Sequence, residues 1–167
     1  MGVEIQMKVA IVMLEPQSQM PVVVLKEENG EKYLPIWIGF SEANAIAIEI
    51  DGIKSERPLT HDLLRNIITK MGGELKKVVI CDLKNSTYFA NLHIQQNGAE
   101  HILDCRPSDA IAIALRLKAP IYVDDIVFDK TRSSEFIKGI PVSEELDRKI
   151  KTVLETLSEE DFGKYKM

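Results

Sequence analysis

The sequence predicts an α+β fold: a mixed, largely antiparallel sheet with a meander, packed by three core helices and followed by a C-terminal amphipathic helix. Three observations carry that prediction. Runs of β-branched and aliphatic residues recur between Val3 and Gly39, three strand-like runs succeed one another through short turns between Leu75 and Cys105, and apolar residues at helical spacing fill the segments between.

Val3 to Leu14 and Pro21 to Leu25 read as two strands, rich in residues that fit a pleated surface. Asn29-Gly30 is a hairpin signal, after which Tyr33 to Gly39 returns as a strand that Pro35 places at an edge or bulge. Ser41 is a favoured N-cap, and Ala43, Ile46, Ala47, Ile50 and Ile53 follow at helical spacing. Ile46, Ile48 and Ile50 also alternate as in a strand, but the intervening alanines favour helix. The second helix begins at Thr60, carries Leu63, Leu64, Ile67, Ile68 and Met71 on one face, and ends at Gly72-Gly73.

Leu75 to Leu83, Thr87 to Gln95 and Ala99 to Cys105 then form the meander, joined through Asn85-Ser86 and Asn97-Gly98. In the middle strand Tyr88, Ala90, Leu92 and Ile94 share one face while Asn91, His93 and Gln95 share the other, so one side of the sheet is buried and the other wetter. The third helix, Ser108 to Lys118, is apolar almost all round and must be enclosed by protein. Pro120 to Val123 is a short last strand, Asp124 to Val142 reads as irregular and mobile, and Ser143 caps a helix with Leu146, Ile150, Val153, Leu154 and Leu157 on one stripe.

With 167 residues, 45% hydrophobic and 28% charged, the chain suits one well-buried domain, here residues 1–135, and a helical extension, 136–167, packing on that domain or on a partner. No apolar run reaches the length of a membrane span, and the N-terminus lacks a basic start and apolar core, so a soluble, cytoplasmic protein without membrane contact is expected. Cys81 and Cys105 are expected as reduced, partly buried side chains, and His61, His93 and His101 lack the paired spacing of a zinc site. A net charge of −5 argues against tight non-specific nucleic-acid binding, although Lys54 to Lys84 holds seven basic residues against four acids. A nucleic-acid site would therefore be local.

Two stretches share one design: Arg57-Pro58-Leu59-Thr60-His61-Asp62 and Arg106-Pro107-Ser108-Asp109 each run from an Arg-Pro step through a hydroxyl residue to an acid at the head of an apolar run. Proline is tolerated in the first helical turn and Thr or Ser is a good cap, so both read as helix starts. Free N–H groups, partial positive charge and a planar guanidinium suit a phosphodiester. The bland alternative is equally physical, because an acid in the first turn is favoured by the helix dipole alone. No Gly-rich phosphate loop, nucleophile elbow or paired-histidine motif is present.

The candidate site is therefore built from helix starts. Glu42, Asp62 and Asp109 are expected as metal ligands for a divalent cation, Mg²⁺ or Mn²⁺, or as bases; His61 as a proton carrier; Arg57 and Arg106 as phosphate clamps; and Thr60 and Ser108 as substrate contacts. The same groups equally build a buried ion network that orients helices, which would leave a non-catalytic interaction module. A third reading is a small-anion sensor at the two helix N-termini.

Leu34-Pro35-Ile36-Trp37-Ile38-Gly39, Arg57-Pro58-Leu59-Thr60-His61-Asp62-Leu63 and Asp104-Cys105-Arg106-Pro107-Ser108-Asp109-Ala110-Ile111-Ala112, in this order and spacing, resemble the bifunctional nuclease (DNase/RNase) domain family. The resemblance runs from about Met7 to Val127, and the tail Leu157 to Phe162 is similar to the closing Glu-Asp-Phe element of some bacterial members. Cys105 stands where Ser is common. The resemblance implies a compact α+β domain, cleavage of both DNA and RNA, and self-association into a homo-oligomer.

Overall fold

The computed structural model describes residues 2–16, 18–133 and Thr152. Its elements run β1 (Glu4–Leu14), β2 (Pro21–Glu27), β3 (Tyr33–Trp37), α1 (Phe40–Ile50), α2 (Thr60–Lys70), β4 (Glu74–Lys84), β5 (Thr87–Gln96), β6 (Ala99–Cys105), α3 (Pro107–Leu117), β7 (Ile121–Asp124) and α4 (Asp125–Ser133). The expected mixed, largely antiparallel sheet with three core helices is present. The predicted helix from Ser143, and with it the 136–167 extension, lies outside the described residues apart from Thr152.

The seven strands form one sheet in the order β3-β2-β1-β7-β4-β5-β6. Short β7 fills the centre: it pairs antiparallel with β1 (Ile5 opposite Val123) and parallel with β4 (Val78 opposite Ile121), the one parallel contact in the sheet. The chain thus builds two antiparallel wings, β1 to β3 and β4 to β6, and joins them last through β7. Alternating residues of β1 and β2 divide between two cores: Val12, Val23 and Leu25 enter the large one, while Ile11, Val22 and Val24 form a small one. Helices α1, α3 and α4 contribute Ala43 and Ile46, Ala110 to Ala114, and Val127 and Phe128 to the large core.

Turn chemistry explains most of the boundaries. Asn97 and Gly98 both have positive φ, +50° and +78°, as a tight hairpin between β5 and β6 requires. Asn29-Gly30 does not close a tight turn; the β2–β3 hairpin is longer, with the Glu27 amide donating to the Lys32 carbonyl at 2.8 Å. Gly72, φ +77°, ends α2, and the Gly73 amide reaches back to the Ile68 carbonyl at 2.9 Å.

Two expectations are corrected here. The first part of the segment from Asp124, read as irregular, is helix α4, whose Val127 and Phe128 are buried in the large core; its acidic start, Asp125, suits a helix N-terminus. The apolar face of α2 is not buried: Leu63 is 54% and Met71 69% exposed, and Leu64 and Ile67 are exposed as well. His61 and Ile68 face the body instead, and the first turn carries polar contacts to α3 at His61 and Asp62.

Candidate active site

The two Arg-Pro junctions begin α2 and α3 in different registers. In α3 Arg106 is the N-cap with extended backbone, Pro107 is the first helical residue, and Asp109 is the third. In α2 the N-cap is Leu59, so Thr60 is the first helical residue and Asp62 the third, while Arg57 stands two residues before the cap. Thr60, Ser108 and Ser41 are therefore not caps; Ser41 lies inside α1, whose N-cap is Gly39. Proline at the first helical position, with its fixed φ and absent N–H, sets the start of α3 one residue before Ser108.

That one shift in register decides what each aspartate binds. At the N-cap, Arg106 folds over its own first turn: Nε donates to Asp109 Oδ2 at 2.7 Å and Nη2 to Oδ1 at 3.1 Å. Arg57 starts too far upstream for this and is exposed. Asp62 instead accepts from the Leu59 amide at 3.0 Å, half of a capping box, and from Arg116 Nε at 2.8 Å.

Three elements meet at Asp109. His61 Nε2 lies 2.8 Å from Asp109 Oδ1, which joins the start of α2 to the start of α3. Arg106 Nη1 also reaches Glu42 Oε1 at 3.0 Å, which adds the first turn of α1. Glycine at the α1 cap matters to this contact, since a Cβ on Gly39 would overlap the Glu42 carboxylate. The Arg106 side chain remains 65% exposed and His61 is buried, so the cluster presents a guanidinium to solvent above a sheltered imidazole.

Asp109 and Asp62 are both held below the ordinary carboxyl range. Burial opposes ionisation of Asp109, but the hydrogen bonds from Arg106 and His61 outweigh it and hold its pKa below 3.8. The Leu59 amide, with Arg116 beside it, likewise lowers Asp62 against a smaller cost of burial. Hydrogen bonding to Asp109 raises the Arg106 guanidinium further. Burial, reinforced by Asp109 and Asp104, pushes the Cys105 thiol up to about 12, which removes it as a nucleophile at neutral pH.

The expected site residues thus divide. Glu42, His61, Arg106 and Asp109 come together; Asp62 pairs away from them with Arg116, and Ser108 is buried on the inward side of α3, out of reach of a substrate. Thr60 and Arg57 stand exposed at the entrance to α2. Beside them an open groove of about 430 Å³ runs between the end of α1 and the start of α2, lined by Lys54, Glu56, Asp62 and Arg65 among others.

Glu42, Asp62 and Asp109 do not form the divalent-cation set expected of them. Among the described residues no three His, Cys, Asp or Glu side chains are placed to share an ion. Both oxygens of Asp109 and both of Asp62 accept hydrogen bonds from cationic or backbone donors.

Arg116 is the residue that motif reading misses. Its side chain is fully buried, with Nη1 donating to the Ala112 carbonyl at 2.9 Å and Nη2 left without a partner among the described residues. The signal was available, because an arginine inside a helix with no polar face must enter the protein and find a carboxylate there.

An α+β sheet with a polar cluster at the heads of its helices defines the class, and comparison supplies the family. The model of the bifunctional nuclease domain matches residues 23–135, from β2 through α4, and this chain belongs to that family. An uncharacterized protein of Mycobacterium tuberculosis is 44% identical over 153 residues, covering 89% of this chain and 91% of its own length. Bifunctional nuclease 1 of Arabidopsis thaliana is 33% identical over 108 residues, 62% of this chain and 33% of the plant protein. Bifunctional nuclease 2 of Oryza sativa subsp. japonica is 37% identical over 107 residues, again 62% of this chain and 33% of its own.

Proposed function

We propose that this chain hydrolyses phosphodiester bonds of DNA and RNA, with Arg106, Asp109, His61 and Glu42 as the reacting centre. The observation that carries this reading is the 2.8 Å contact between His61 and Asp109, which unites two junctions 48 residues apart in sequence. Family membership supports nuclease chemistry in general terms.

The contact sets the tautomer. With Nε2–H donating to a carboxylate, the neutral ring keeps its lone pair on Nδ1, which has no hydrogen-bond partner among the described residues. Nδ1 is therefore the nitrogen that accepts a proton from attacking water, or from a ribose 2′-hydroxyl in RNA, while Asp109 stabilises the imidazolium that forms. As the new P–O bond closes the old one breaks, and the leaving sugar oxygen takes its proton from that imidazolium or from solvent. Arg106 spends three of its five N–H groups on Asp109 and Glu42 and keeps two for phosphate oxygens. Its two carboxylate contacts hold the guanidinium plane still, as a clamp on a developing charge requires. Arg57 and Thr60 would bind a flanking phosphate at the start of α2. A divalent cation enters this proposal with the nucleic acid, as the counter-ion of its phosphates.

Purified protein should cleave single-stranded DNA and RNA, and His61→Ala and Arg106→Ala, compared with wild type at equal folded fraction, should each lose about 100-fold or more in rate. Chelation should slow wild type by less than either substitution does. Equal rates for wild type and both variants would remove the cluster from the chemistry.

A second reading, a non-catalytic interaction module, is favoured by one observation: α2 turns Leu63, Leu64, Ile67 and Met71 outward. That face suits self-association. Light scattering reads it, with a mass above 18.8 kDa expected and a monomer at all concentrations against it.

A further inference from the structure

Arg116 and Asp62 lie outside the cluster at Asp109, yet they act on the one residue of that cluster that α2 supplies. Asp62 directly follows His61, and its two oxygens are held by the Leu59 amide and by Arg116 Nε. Arg116 is itself fixed to the backbone of α3 through the Ala112 carbonyl. The first turn of α2 is thus tied to the middle of α3 at one end of His61 by a charged pair and at the ring by Asp109. We propose that Arg116 is a positioning residue for the proposed nuclease centre: through Asp62 it sets the rotation of α2 and so the aim of the His61 ring. This rests on the reading of the cluster as a phosphodiesterase.

Two features of the pair point to positioning over stability. Arg116 is fully buried and leaves Nη2 without a partner among the described residues, a poor arrangement if binding energy were its purpose. The rotation it enforces also leaves Leu63, Ile67 and Met71 exposed and brings His61 inward, against the apolar pattern of the helix. A helix free to follow that pattern would turn those side chains toward the core and carry His61 away from Asp109. The arginine therefore holds α2 in the rotation that sets His61 on Asp109 and leaves the apolar face outward.

The test separates rotation from folding. Replacing a buried ion pair by uncharged side chains of similar size is often neutral for stability, whereas removing one partner is not. In the full chain, Arg116→Met should melt well below wild type, and Arg116→Met combined with Asp62→Asn should recover most of that loss. The ring nitrogens of His61, read by ¹⁵N NMR at one fixed pH and identified among three histidines by their loss in His61→Gln, report the tautomer and the bond to Asp109.

The double variant is expected to lose the wild-type His61 signature, with kcat on single-stranded RNA down about 100-fold and KM changed less than about threefold. A double variant that keeps both the ring signature and kcat overturns the inference. Should the double variant not fold, Arg116→Lys, which keeps the charge, decides by the same resonances: displaced signals support positioning and unchanged ones overturn it. If wild type shows no cleavage, the nuclease reading falls, and the ring signature still decides whether Arg116 aims His61.

Discussion

Asp62 and Asp109 occupy the same position, third in their helices, and follow the same Arg-Pro design, yet they do different work. Asp109 draws in an exposed arginine from its own cap and a histidine from the neighbouring helix. Asp62 caps its own helix and meets an arginine with no exposure at all. Solvent access makes the difference: an ion pair that can open to water can exchange a partner for a phosphate, while a buried one cannot give up its partner without stranding a charge. One sequence pattern thus yields an open contact in one place and a buried anchor in the other.

The largest effect expected from breaking that comparison is at the anchor. Asp62→Ala leaves Arg116 buried and unpaired, and should cost about 3–5 kcal/mol in urea unfolding. Asp109→Ala should cost less, about 1–2 kcal/mol, because Arg106 relaxes into water and chiefly the His61 bond is lost. A larger loss at Asp109 than at Asp62 would reverse the roles assigned to them.

Acid should weaken both pairs. The folded pKa values of Asp62 and Asp109 lie below the ordinary 3.8, so each carboxylate contributes stability in full above that value and loses it as the pH falls through the folded pKa. Wild type should therefore lose stability below about pH 4, with a shallower loss in Asp109→Asn over the same window. Unfolding curves of equal slope would contradict the linkage. The smallest effect is at Arg106: at 65% exposure, its replacement by Ala should change stability by less than about 1 kcal/mol, and salt should reduce even that.

Much of the fold was legible because local signals agreed with it. The Asn97-Gly98 turn, the Gly72 stop and the largely apolar α3 each follow from backbone or burial requirements that a few residues state. The place of β7 was not legible, since four residues carry no mark of which strands will flank them, and the pairing joins Ile121 to Val78, 43 residues away, and Val123 to Ile5, 118 residues away. Helix α2 misled in a more instructive way: its apolar spacing announced a buried face, but that face is exposed, and the side turned inward carries two polar contacts to α3. In the candidate site, residue types were legible and their grouping was not. Asp62 and Asp109 looked alike in sequence, and only the two-residue difference in where the arginine stands relative to the cap, together with Arg116 from the last turn of α3, separates them.

The central claim is that the open junction at Asp109 is where phosphodiester chemistry takes place. The most direct measurement is the rate at which Asp109→Asn cleaves single-stranded RNA, compared with wild type at equal folded fraction. The substitution keeps the shape of the side chain but removes the charge that orients His61 and Arg106, so a loss of about 100-fold or more is predicted. A rate equal to wild type would contradict the account.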